Sequence, residues 1–136
     1  MSGKVFVDTN ILVYAYDSEN KTKQHRAREA LLKLEEAGSG VISMQVIQEF
    51  YVTVTKKLGM QPLKAKQIIA SFNNFEVVSI DIDLIKEAID IGVLNQVSFW
   101  DALVIACAQS AGCSKIWTED LTHSQAFKSV HIEHIL

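Results

Sequence analysis

A chain of 136 residues, 49% hydrophobic and with a net charge of −3, is long enough to bury a real core and short for two, so one domain spanning residues 1–136 is expected. No run approaches the roughly 18 apolar residues of a membrane span, and Met1-Ser2-Gly3-Lys4 is no signal-peptide core, which predicts a cytoplasmic protein. Cys107 and Cys113 lack C-x-x-C spacing, and neither a G-x-G-x-x-G nor a P-loop occurs, so redox-thiol, zinc-finger and dinucleotide chemistries have no signature here.

In chain order, Lys4-Val5-Phe6-Val7 suits a strand buried on both faces, and it stops at Asp8-Thr9-Asn10. An acid there faces the crevice that open α/β sheets form beyond the carboxyl ends of their strands. Asp8 equally suits the N-cap of a helix through Ile11, Leu12 and Tyr14. Lys21, Lys23, Arg26 and Arg28 crowd the following helix, which Gly38-Ser39-Gly40 ends. A second strand, 40–42, leads to Ser43 as N-cap of a helix on which Ile47, Phe50, Tyr51, Val54 and Leu58 share a face. Glu49 points away from the middle of that face with Gln45 and Lys56, a position open to a site acid and to an ordinary solvated glutamate alike.

Pro62 opens another helix at its first turn, and that helix carries Lys64 and Lys66. After a strand at 75–80, Ser98 to Ala108 forms a helix so apolar around its circumference that burial is required, with Asp101 its first-turn exception. Ser98-x-x-Asp101 is also a variant capping box, its acid favoured by the helix dipole. Gly112 ends this helix; a strand at 115–117 then runs into Thr118-Glu119-Asp120, ahead of a helical turn expected from Leu121 to Phe127 that Asp120 would cap. The last strand, 131–135, contains His131-x-x-His134, whose members fall on opposite faces of a strand and so make no metal pair.

Five strands alternating with helices predict an α/β fold, a central parallel sheet of about five strands with helices on both faces. Three strand-end acids and one helical acid then share one sheet edge: Asp8, Glu49, Asp101 and Asp120 suggest an acidic metal pocket. Such a pocket suits phosphodiester hydrolysis, in which Mg²⁺ or Mn²⁺ activates water and neutralises developing charge. Mg²⁺ takes only one or two carboxylates directly, so four acids would divide direct and water-mediated contacts. Setting the four aside leaves 12 acids against 13 bases, or +1, and eight of those bases fall in the segments 21–28 and 56–66, where they can hold an RNA backbone or form solvated helix faces.

The ordered blocks Val5-Phe6-Val7-Asp8-Thr9-Asn10-Ile11-Leu12, Gln48-Glu49-Phe50, Ser98-Phe99-Trp100-Asp101-Ala102-Leu103 and Trp117-Thr118-Glu119-Asp120-Leu121 resemble the PIN-domain ribonucleases, most closely the VapC-type toxins of toxin–antitoxin pairs. The resemblance spans the chain. It implies a PIN-like α/β domain and a metal-dependent endoribonuclease that leaves a 5′-phosphate and a 3′-hydroxyl on transfer or ribosomal RNA. It further implies Asp8, Glu49, Asp101 and Asp120 as catalytic metal ligands for Mg²⁺ or Mn²⁺, and Asn10 and Thr118 as polar supports. A small antitoxin and a second copy of the chain are the implied partners; Tyr14, Tyr16, Phe72 and Phe75 are aromatic candidates for the dimer contact, with core burial the simpler assignment for each. Such proteins often carry Asn where this chain has Glu119.

Two other functions compete. Phe6-Val7-Asp8-Thr9-Asn10 is similar to the haloacid-dehalogenase start, where the first Asp attacks phosphate, but Asn10 stands where that family has its second Asp. A PIN-like module that binds RNA or protein without turnover is the other.

Overall fold

The computed structural model describes residues 3–136. Val5, Phe6 and Val7 of β1 (Lys4–Val7) are all buried, as is every residue of β2 (Gly40–Ser43). Consecutive buried residues on a strand require cover on both faces of the sheet. Helices α2 (Lys21–Ala37), α3 (Met44–Lys56) and α6 (Phe99–Ser110) all pack on β2, and α6 also on β4 (Cys113–Trp117) and β6 (Val130–Glu133). The remaining elements are α1 (Thr9–Tyr14), α4 (Pro62–Ala70), a 3₁₀ turn at Ser71–Asn74, β3 (Glu76–Val78), α5 (Ile82–Asn95) and β5 (Ala126–Phe127).

The sheet runs β3-β2-β1-β4-β6-β5, parallel throughout except for the β5–β6 pair. From β1 the chain therefore winds outward through β2 and β3, then crosses back to place β4 on the other side of β1. The β1/β4 boundary is the topological switch point, where an open α/β sheet leaves a crevice beyond its strand ends. Val7 lies in register with Trp117, and the Asp8 amide donates to the Trp117 carbonyl at 2.9 Å. Asp8 and Thr118 thus leave the sheet side by side, on the two strands that flank the crevice.

The expected punctuation is largely present. Ser43 and Ser98 cap α3 and α6 by accepting from the amides of Val46 and Asp101, Pro62 is the first residue of α4, and Gly38 closes α2 at φ 64°, a conformation in which glycine has no Cβ to clash. Six strands replace the expected five, and β3 covers only 76–78 of the expected 75–80. The helical turn expected at Leu121–Phe127 does not form. That segment is a loop ending in β5: the Ile132 amide donates to the Gln125 carbonyl and the Ser124 amide to the Ile132 carbonyl, which holds Ala126–Phe127 on the sheet edge as an antiparallel strand.

The face assignments on α3 also need correction. Gln45 is 5% exposed and Tyr51 is 38% exposed, the reverse of the periodicity argument. Gln45 lies in the first turn of a helix that leaves the buried strand β2 and is covered there, whereas Tyr51 faces outward beyond the neighbours that bury Phe50. Phe50 itself meets Tyr16 and Phe72 edge-on, with ring centroids 5.8 and 5.1 Å away. Phe72 is buried and Tyr14, Tyr16 and Phe75 are half-buried, so these aromatics serve the core rather than an exposed patch. Exposed apolar surface lies instead on α5 and the start of α6, at Ile82, Ile89, Val93, Leu94 and Trp100.

Cys107 and Cys113 are buried and unpaired, their thiols pushed by burial up to about 11 and about 12. The His131-x-x-His134 pair is broken by the strand end: His134 follows β6, and its ring packs 5.4 Å from that of His123. Among the described residues no single helix is long and apolar enough to cross a membrane.

Candidate functional site

Asp8 closes the buried strand β1 and begins α1, which gives its carboxylate two duties. As N-cap, its Oδ1 accepts from the Thr9 amide at 2.8 Å; its Oδ2 accepts from the Thr118 hydroxyl at 2.7 Å. Asp8 is thus the N-cap of α1, and it also lines the cavity at the strand ends. Thr118, fully buried, is the junction of the site: besides donating to Asp8, its oxygen accepts from the Asp120 amide at 3.0 Å and from Asn10 Nδ2 at 3.4 Å. One hydroxyl therefore ties together the ends of β1 and β4 and the first turn of α1.

Glu49 reaches the same place from α3. Its Oε1 accepts from the Thr9 hydroxyl at 3.1 Å, and Phe50 beside it is locked in the core, which fixes the rotation of the helix that presents Glu49. A cavity of about 300 Å³ opens between these elements, lined by Asp8, Asn10, Glu49 and Asp120 together with Tyr14, Lys57 and Glu119. Asp120 belongs to a loop, since no helix follows it, and the capping alternative for this acid falls away. Asp101 is not among the lining residues; it sits in the first turn of α6, close enough to Asp120 for its charge to act there.

Burial and neighbouring like charge raise two of these acids. Burial pushes the Asp8 carboxyl up from 3.8 to about 6, against the hydrogen bonds from Thr118 and Thr9, and the charges of Asp120 and Glu49 add to the rise. Asp120 is raised by partial desolvation first and by Asp101 second. Glu119 is neutralised by Lys23, whose ammonium lies 2.7 Å from its carboxylate and 4.7 Å from the centre of the Tyr14 ring. Lys23 is thereby withdrawn from the set of free bases expected along α2, and Arg28 spends its Nε on the Ala15 carbonyl.

Among the described residues no three acids, histidines or cysteines stand close enough to form a ready-made ligand cluster. The donors nevertheless fit a hard divalent ion. They are all oxygens, Mg²⁺ needs only one or two carboxylates directly, and the buried Oδ1 of Asn10 has no hydrogen-bond partner among the described residues although it lines the same cavity. A buried acceptor without a donor is costly, and a cation or its water would satisfy it.

The structure thus brings Asp8, Asn10, Glu49, Thr118 and Asp120 together and sets Asp101 beside them. Sequence reasoning gave no role to Thr9, Asp17 and Thr53, read Tyr14 as a helix and dimer aromatic, and read Lys57 as one base of a run that can hold an RNA backbone; all five line or build the cavity. A signal for two of these exists: Glu49, Thr53 and Lys57 recur every four residues, the spacing of one helix face.

A family profile described as the PIN domain matches residues 5–128. No curated protein matches the sequence significantly. Among solved structures, a toxin–antitoxin complex from Klebsiella pneumoniae superposes with a TM-score of 0.70 at 20% identity, covering 93% of this chain and 95% of that one. DNA-bound VapBC from Salmonella typhimurium gives 0.69 at 19% identity over 96% and 97%. VapC20 of Mycobacterium tuberculosis, a sarcin–ricin loop cleaving toxin, gives 0.67 at 19% identity over 86% and 92%. At these identities the likeness is one of fold.

Proposed function

The chain belongs to the PIN domain family, and from that premise we propose that it is a metal-dependent endoribonuclease, the VapC-type toxin of a toxin–antitoxin pair acting in the cytoplasm. The observation that carries this is Asp8. A carboxylate at the switch point of the sheet, raised to about 6 by burial yet held as an acceptor by Thr118 and Thr9, faces a cavity shared with Glu49 and Asp120. Burying unpaired charge is expensive, and an acidic cavity of this kind is stable when a cation completes it.

Asp8, Glu49, Asp101 and Asp120 would hold Mg²⁺ or Mn²⁺, directly or through water. When bound, such an ion supplies charge neutralisation at the phosphodiester and a water of lowered pKa. The chain's own residues do the positioning. Thr118 fixes the Asp8 carboxylate, Thr9 fixes Glu49, and Asn10 offers its free Oδ1 to the cavity. Hydrolysis joins the water oxygen to phosphorus and breaks the bond to the 3′ oxygen, leaving a 5′-phosphate and a 3′-hydroxyl. The substrate we propose is transfer or ribosomal RNA, and the partners are a small antitoxin and a second copy of the chain. The exposed apolar residues of α5 and α6 give that second copy a surface to cover.

The spread of the acids favours one competing function, a module that grips RNA or protein without turnover. The experiment that separates the two is incubation of the purified protein with total cellular RNA and with single-stranded DNA in Mg²⁺, Mn²⁺ or EDTA, beside Asp8→Asn. Discrete metal-dependent cuts in RNA, absent from the variant, are expected. Folded, antitoxin-free protein that cuts nothing under any condition would transfer the case to the binding module.

A further inference from the structure

We propose that Lys57 is a phosphate-contacting residue of a nucleotide subsite within the acidic cavity, taking a phosphate of the RNA strand beside the one that is cleaved. This rests on the nuclease function proposed above and names the substrate contact that function still lacks.

Five carboxylate residues line the cavity, Asp8, Asp17, Glu49, Glu119 and Asp120, and a single base, Lys57. Lysines on the outer face of a helix are commonplace, and Lys56, one residue earlier, is such a lysine, exposed and outside the cavity. Lys57 instead continues the stripe Glu49-Thr53-Lys57, all three of which line the cavity. Its backbone amide is occupied in ending α3 on the Thr53 carbonyl, but its ammonium has no hydrogen bond or ion pair among the described residues. Glu119 of the same cavity, by contrast, is paired with Lys23 from α2.

The position explains the use. Along α3, Lys57 lies eight residues from Glu49, about 12 Å of helix axis at ~1.5 Å per residue, and helical side chains lean back toward the N-terminus. Glu49 and Lys57 thus border the same cavity from points two helical turns apart on α3. Val13, Tyr14 and Leu58 add apolar lining to the cavity, and Lys23 lies over the Tyr14 ring. A polyanion entering a pocket of carboxylates is repelled along its length. A divalent ion held by the acids would offset part of this; Lys23 is already paired with Glu119, which leaves Lys57 as the unpaired base among the described lining residues. A cavity that combines acids, apolar side chains and one unpaired ammonium offers contacts for a cleaved phosphate through a cation, for a nucleoside and for a second phosphate.

The test uses the full chain as wild type, Lys57→Met and Lys57→Arg. Fluorescence anisotropy measures binding of a labelled single-stranded oligoribonucleotide of mixed sequence in Ca²⁺ across a series of NaCl concentrations. Steady-state cleavage in Mg²⁺ supplies KM and kcat. Loss of one phosphate contact should reduce the slope of log affinity against log salt by about 0.7, weaken binding several-fold at every sequence, and raise KM with kcat nearly unchanged; Lys57→Arg should restore the slope. Lys57 is exposed at a helix end, so all three proteins should melt together. An unchanged slope and KM in Lys57→Met, in a wild type that cleaves RNA, would overturn the subsite and leave the nuclease standing. A Lys57-dependent slope in a protein that never cleaves would retire the nuclease and keep the contact. Wild-type protein that binds no RNA would overturn both.

Discussion

Replacing Thr118 by Val removes one oxygen and almost nothing else, and the structure says what that oxygen carries. Thr118 is fully buried, and its hydroxyl donates to Asp8 Oδ2 at 2.7 Å, a length typical of a hydrogen bond to an ionised acceptor. Such a bond is worth about 1.5–3 kcal/mol, and losing the acceptor for the Asp120 amide adds about 0.5–1.5 kcal/mol, since that amide lies near solvent. The 3.4 Å contact from Asn10 is long and contributes little. A loss of about 2–4 kcal/mol at pH 8 follows. The loss should depend on pH. Asp8 titrates at about 6 when folded against an ordinary 3.8, so the folded state holds its proton the more tightly and wild-type stability falls as pH rises through that window. Thr118 limits the fall by favouring the charged form; without it the folded pKa climbs further and the penalty above pH 6 grows. Below about pH 5 Asp8 is protonated in the fold, the bond is an ordinary one, and the cost should shrink by about 1 kcal/mol or more. Urea denaturation in EDTA at pH 5 and pH 8, with Thr118→Ser as a hydroxyl-retaining control, measures this. Equal losses at the two pH values, or a Ser variant as unstable as the Val variant, would refute the reasoning.

Asp8→Asn should remove the Asp8 share of the pH dependence of stability in metal-free protein, a decline worth about 3 kcal/mol between roughly pH 4 and 7, and leave the smaller share of the raised Asp120; urea titrations across that range check it. The same variant should lose the rise in melting temperature that Mg²⁺ is expected to give the wild type, and a wild-type melting temperature indifferent to Mg²⁺ and chelator would count against a cation completing the cavity. Phe50→Ala, at a fully buried ring clasped by Tyr16 and Phe72, should cost about 3–5 kcal/mol in chemical denaturation and release the rotation of α3 that aims Glu49, lowering RNA cleavage per folded molecule.

Much of this site was legible from local pattern, because a strand buried on both faces must be apolar and therefore announces where it stops. Val5-Phe6-Val7 followed by Asp8, and Ile116-Trp117 followed by Thr118-Glu119-Asp120, marked two strand ends and their acids, and Ser43, Pro62 and Ser98 marked helix starts through the hydrogen-bonding needs of a first turn. Other features depended on neighbours far away in sequence. No local rule pairs Asp8 with Thr118, 110 residues apart; the parallel register of β1 and β4 does. Whether Gln45 or Tyr51 turned inward was decided by what covers each end of α3, and Leu121–Phe127 became a loop with an edge strand because β6 offered it a partner. Lys57 looked like one base in a basic run until the cavity showed which way it faces. Residue type and periodicity, acting over a few positions, determine elements and their ends; the direction a side chain takes, the partner of a hydroxyl and the pKa of an acid are set by packing across the fold, where burial and register first exist.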